Sequence, residues 1–115
     1  MVQKNEFMLL FRFEPNFNYQ PTEAELSEMH QHWGAFIGQI ALEEKLVSTH
    51  QLGFDGKQIF ADSSLQEGIY ISNKQAIAGN MIVKANTIEE AIEMAKSCPI
   101  LHVGGSVEVR SIQPM

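Results

Sequence analysis

At 115 residues, with 44% hydrophobic and 19% charged side chains, the chain is long enough for one modest core and too apolar for a disordered polymer. A net charge of −6, with only eight Lys and Arg scattered along the sequence, lacks the clustered cations that nucleic acid or an anionic membrane surface requires. Cys98 is the one cysteine, which excludes an intrachain disulfide and a multi-thiolate zinc site, and no window approaches the roughly 20 apolar residues that span a bilayer.

The elements follow in chain order. Phe7, Leu9, Phe11 and Phe13 alternate with Met8, Leu10 and Arg12, the period of a strand. Both sides are apolar over most of its length, which predicts a central strand covered on both faces. The apolar run from Phe7 to Leu10 is too short for a signal peptide and is followed at once by Arg12 and Glu14, so a cytoplasmic location is expected. Pro15, Asn16, Asn18 and Pro21 read as a loop. Thr22 and Glu25 have capping-box spacing, and Leu26, Met29, Trp33, Phe36, Ile37 and Ile40 form one apolar side of a helix reaching about Glu44. Gly34 and Gly38 weaken that helix unless another backbone approaches closely there.

A second strand is predicted over 46–54. Asp55-Gly56 is read as a type I′ hairpin turn returning a short strand, Lys57 to Ala61. Gly68 to Ser72 follows as a strand of an extra ribbon, with Asn73-Lys74-Gln75 at its turn, and Ala78 to Ala85 as a longer strand. Thr87 and Glu90 repeat the capping-box spacing ahead of Ile88, Ala91, Ile92 and Ala95, a short amphipathic helix that Pro99 ends. Gly104-Gly105 permits a tight turn into a last strand, Ser106 to Ile112. Strand, Thr-capped helix and strand occur twice, so the expected class is α+β, a ferredoxin-like βαββαβ unit with an extra hairpin in one domain.

Two helices cover only one face of such a sheet. Neither side of the first strand is made for water, so a second copy is expected to pack back to back on the uncovered face as a homodimer. The alternative is that the extra ribbon folds over that face within one chain.

Several residues qualify for chemistry. His30 and His32 lie about 200° apart around a helix and cannot chelate one metal together. His30, near the edge of the apolar stripe, is a candidate proton carrier or an ordinary boundary histidine. His102 precedes the Gly-Gly turn, where Asp55, Asp62 or Glu67 are possible orienting acids, and it reads equally as an exposed loop residue. His50, inside a predicted strand, has the weakest case. Arg12 interrupts an apolar strand and needs a partner, for which Glu108 on the last strand is suited; with Arg110 these make either an anion clamp or a ladder of cross-strand pairs. Cys98, at a helix C-terminus, reads as a packing residue. No phosphate-binding loop, nucleophile elbow or metal-ligand spacing is present, so neither metal nor cofactor is expected.

The stretch Glu67-Gly68-Ile69-Tyr70, Lys74, Ala78-Gly79, Thr87 to Ala91, Cys98-Pro99, Gly104-Gly105 and Glu108-Val109-Arg110-Ser111 resembles the YCII-related, or DGPF-domain, family. The opening strand and the Trp33-containing helix are similar to that family as well. Its signature is a DGPFAETKE-like segment followed by Gly-Gly, a D/T-x-x-E-A helix, Cys-Pro, Gly-Gly and EVRP. Here Glu67, Ile69 and Tyr70 stand where the family carries Asp, Pro and Phe, and Ser111 replaces the last Pro, so the resemblance is to a diverged member. It implies a dimeric α+β barrel and a cofactor-independent enzyme or binder of small molecules such as organic acids or phenols. Glu67 and Lys74, at the signature segment, become candidate ligand contacts, and Lys74 reads otherwise as the cap of an exposed hairpin. Some members are encoded beside alternative sigma factors, which implies a second possibility, a non-catalytic regulatory or protein-interaction dimer.

Overall fold

The structure, a computed structural model, describes residues 5–15 and 22–113. Strands β1 (Asn5–Phe13), β2 (Leu46–Gln51), β5 (Ala76–Ala85) and β6 (Ser106–Ser111) form a four-stranded sheet in the order β2-β5-β1-β6. All three neighbouring pairs are antiparallel. Two helices, α1 (Glu23–Leu42) and α2 (Ile88–Ala95), complete an α+β architecture compatible with a ferredoxin-like fold. A separate two-stranded ribbon, β3 (Lys57–Ile59) with β4 (Leu65–Glu67), is inserted between β2 and β5. The loop expected through Asn16, Asn18 and Pro21 lies outside the described residues, apart from Pro15.

The alternation along β1 decides which face the helices cover. Phe7, Leu9 and Phe11 are buried, and they join Met81 and Val83 of β5, Phe36 and Ile40 of α1, and Ala91 and Ala95 of α2 in one core. Leu9, Met81, Val83 and Cys98 are fully buried. The rings of Phe11, Trp33 and Phe36 meet edge to face, at 5.2 Å and 5.9 Å between centroids, an arrangement that suits the aromatic quadrupole. Met8 and Leu10 point to the opposite face and are only half-buried. The extra ribbon does not lie over them: Ile59, Leu65 and Tyr70 on and beside it remain 74%, 64% and 68% exposed.

Both helices begin as their sequences dictate. Thr22 Oγ1 accepts from the Glu25 N–H at 3.1 Å, and Glu25 Oε1 accepts from the Thr22 N–H at 3.0 Å, a complete capping box. Thr87 Oγ1 likewise accepts from the Glu90 N–H at 3.2 Å, but the Glu90 carboxylate reaches the Asn86 N–H instead. Glu90 also holds the Lys45 ammonium at 3.1 Å, and that hydrogen bond raises the Lys45 pKa. The first half of α1 runs past the core, leaving Leu26 and Met29 exposed despite their place on the apolar stripe.

Two local readings need correction. Asp55-Gly56 does not join β2 to β3 as a hairpin. Neither residue adopts a positive φ, and β3 turns back at Phe60–Ser64, where Ser63 takes φ 70° and the Phe60 N–H donates to the Ser64 carbonyl at 2.9 Å. Gly56 instead extends the ribbon, its carbonyl accepting from the Gly68 N–H at 2.9 Å. The strand expected at Gly68 to Ser72 is likewise one element too late, since β4 ends at Glu67. The next turn is a two-residue hairpin at Asn73-Lys74, with φ of 52° and 66° and reciprocal 2.9 Å bonds between Ser72 and Gln75. Pro99 stops α2 as expected and opens a short 3-10 helix, Pro99–Val103, ahead of Gly104 at φ 85°.

Candidate functional site

The uncovered sheet face is where most of the polar candidates meet. Register places Met8 between Ile82 and Arg110, Leu10 between Asn80 and Glu108, and Arg12 between Ile77 and Ser106. On β2, Ser48 and His50 pair with Ile82 and Asn80. The face is therefore an apolar strip of Met8, Leu10, Ile77 and Ile82 crossed by polar rows.

Its firmest contact is the ion pair from Arg12 Nη2 to Glu108 Oε1 at 2.9 Å, with both side chains partly exposed. This is the partnership the charge on an apolar strand required. A β-bulge in β5 lies beside it: register jumps so that Phe11 faces Gly79 while Arg12 faces Ile77. The extra residue is in β5, so the alternation of β1 is unbroken, Arg12 stays on the open face beside Ser106, and Ile77 is the residue brought opposite it. The Ser106 hydroxyl donates to Gln75 Oε1 at 2.9 Å, and Gln75 Nε2 donates to the Gly104 carbonyl at 3.3 Å. These bonds anchor the start of β6 to the start of β5.

Arg110 is on the same face, exposed, and makes no ion pair among the described residues. Because Glu108 already neutralises Arg12, Arg110 is the guanidinium with its donors available to an anion. An open groove of about 640 Å³ follows this edge, lined by Ile88, Glu108, Val109, Arg110, Ser111 and Gln113. A second, smaller one of about 290 Å³ lies between α2 and β6, against Ile92, Leu101, Val107 and Val109.

The remaining candidates lie elsewhere. His30 is exposed on α1, and His102 is exposed on the 3-10 helix. Neither makes an ion pair with a carboxylate among the described residues. Glu67, on the ribbon, pairs with Lys57 at 3.1 Å. Lys74 is exposed at the tip of the Asn73-Lys74 turn. Arg12, Glu108 and Arg110 are thus brought together, and Glu67, Lys74, His30 and His102 are not.

His50, the weakest histidine candidate in the sequence, and Asn80, which the sequence did not single out, join the open face. His50 Nδ1 lies 3.3 Å from Asn80 Oδ1. With the amide oxygen as acceptor, Nδ1 is the donor of this contact. The available signal was the parity of β2 against β5, which requires the register. Cys98 is fully buried, and burial pushes its thiol up to about 11, which leaves it a packing residue. No cluster of three metal-ligating side chains occurs among the described residues, and no described helix is long and apolar enough to cross a membrane.

No family model matches the chain, and no curated protein matches it.

Proposed function

We propose that this chain is a diverged YCII-related protein: a ferredoxin-like unit that pairs through its open sheet faces as a dimeric α+β barrel and binds a small organic anion at that seam in the cytoplasm. The carrying observation is the open face itself, an apolar strip bearing a neutralised Arg12–Glu108 pair and an unengaged Arg110. Apolar surface of that kind favours a second sheet, and a cationic group beside it favours a carboxylate or phenolate with an apolar body.

Binding without chemistry is the better reading of the two functions the fold could host. Proton transfer needs an imidazole oriented by an acid within hydrogen-bond reach. His50 has an amide as its partner, and His30 and His102 stand away from the face. A regulatory or protein-interaction dimer would draw on exposed apolar residues away from the sheet seam, such as Leu26 and Met29 on α1.

The test is a titration of the protein with benzoate, salicylate and phenol, followed by NMR chemical shifts and calorimetry. Saturable binding with shifts at Glu108, Arg110 and His50 supports the reading. Replacing Arg110→Gln should weaken the carboxylates by roughly 10- to 100-fold, the worth of a charge-assisted hydrogen bond, and leave phenol nearly unchanged. If all three ligands leave every open-face signal in place at millimolar concentration, the assignment falls.

A further inference from the structure

We infer that the β3–β4 ribbon is a clasp that grips a second copy of this chain, an inference that rests on the pairing proposed above. The ribbon is an ordered hairpin. Its ladder pairs Lys57 with Glu67, Gln58 with Gln66 and Ile59 with Leu65. It is closed by the turn at Phe60–Ser64 and by the 2.9 Å bond from the Gly68 N–H to the Gly56 carbonyl. Asp62 Oδ1 accepts from the Ser64 N–H at 2.9 Å within the turn, and the Ser64 side chain foremost, with that N–H second, holds its pKa low.

Among the described residues, the apolar side chains of the ribbon are left largely uncovered. Ile59 and Leu65 are cross-strand partners and so project from one face together, and Phe60, Tyr70 and Ile71 add to the exposed apolar surface around them. An isolated two-stranded hairpin is marginal in water and gains stability only by packing on something else. The shape of the chain agrees. Its radius of gyration is 15.9 Å and its extents are 48 × 43 × 20 Å, whereas a compact chain of this length has a radius near 13 Å. The protein is a thin slab with a greasy projection.

Three observations select a second copy as the occupant. The first is area. Two aromatic and three aliphatic side chains, exposed to the degree seen, offer about 500 Å² per copy and ~1,000 Å² for a symmetric pair. Stable interfaces begin at ~1,200 Å² counted over both partners, which the two ribbons reach once the partner surface they cover is added. The second is charge. Between residues 55 and 71 the ribbon carries Asp55, Asp62 and Glu67 against Lys57, whereas the open sheet face carries Arg12, Lys84 and Arg110 against Glu6 and Glu108. An acidic, apolar ribbon matches a face that is locally cationic within an acidic chain. The third is position. The ribbon leaves the sheet after Gln51 and returns at Ala76, which pairs with Phe13, so its root is at the Arg12 end of β1, beside the open face.

The experiment uses the full chain and sedimentation equilibrium over nanomolar to micromolar concentrations. The variant I59S/L65S/Y70S removes three side chains that are exposed in the isolated subunit, so its circular dichroism should match the wild type. The dimer dissociation constant should rise at least a hundredfold, and the ribbon amides of the wild type should gain hydrogen-exchange protection as concentration increases. A second variant, Leu10→Glu, perturbs the open face without touching the ribbon. If the wild type and the ribbon variant dimerise equally while Leu10→Glu is monomeric, the clasp is refuted and the sheet pairing stands. A wild type that remains monomeric refutes both.

Discussion

Gly105 offers the sharpest test of how the last strand is attached. A Cβ at this position would meet the Arg12 carbonyl oxygen at 2.6 Å and the Ile100 carbonyl oxygen at 2.9 Å. Both are backbone atoms, so neither can swing aside as a side-chain end would. The Gly105 N–H also donates to that Ile100 carbonyl at 2.9 Å, closing the 3-10 helix. Gly105→Ala therefore pushes the start of β6 off β1, where Ser106 pairs with Arg12. Overpacking of this kind costs about 1–3 kcal/mol, and a lost backbone hydrogen bond adds about 1 kcal/mol. For a chain of this length each kcal/mol moves Tm by about 4 °C, so thermal denaturation at fixed protein concentration should show a drop of about 8–16 °C. Two other glycines calibrate the argument. Gly104→Ala meets no atom within 4 Å but holds φ 85°, and should cost only about 1 kcal/mol through backbone strain. Gly34→Ala, exposed in the middle of α1 with open space around it, should raise Tm by ~4 °C from helix propensity alone. The reasoning is refuted if Gly105→Ala melts within about 2 °C of the wild type, or if it is no worse than Gly104→Ala.

Other outcomes follow from single contacts. In dilute protein the double-mutant cycle of Arg12→Met with Glu108→Gln should give a coupling below about 1 kcal/mol, because the pair is partly exposed. At concentrations where copies pair and cover it, loss of one partner alone should cost about 3–5 kcal/mol, and a concentration-independent cycle would argue against coverage. The Cys98 thiol binds its proton more tightly in the folded chain because of burial, so its contribution to stability is complete below pH 9.0 and is lost as pH rises towards about 11. Urea titrations of wild type and Cys98→Ala across that window should diverge in the pH slope, and equal slopes would show that the thiol does not contribute. Thr22→Ala should destabilise α1 by ~1 kcal/mol, with Thr22→Ser retaining most of the capping bond; equal melting of the two variants would mean the cap contributes nothing.

Much of the fold is legible in the sequence because its signals are local. The period-two alternation of β1, the Thr22 and Thr87 caps, the Pro99 stop and the Asn73-Lys74 turn each depend on residues a few positions apart, and each forms where the chain alone indicates. Arg12 and Glu108 were also readable as a pair, since a charge on an apolar strand demands a counter-charge and few were on offer. His50 and Asn80 were not, because their meeting depends on the register of β2 against β5 and on which face that register exposes. Asp55-Gly56 shows the same limit from the other side. Its turn preference is real, but chain reversal by the Phe60–Ser64 bonds overrides it.

Periodicity thus determined which side of each element avoids water, while the tertiary structure alone decided what stands opposite. Leu26 and Met29 continue the apolar stripe of α1, yet α1 outruns the sheet and leaves them exposed. Met8 and Leu10 demanded a cover that neither the helices nor the ribbon of the same chain supplies. A pattern of apolar residues records a preference for burial, which is a property of neighbouring side chains. Whether the preference is met depends on the reach of distant segments, which no short-range spacing encodes.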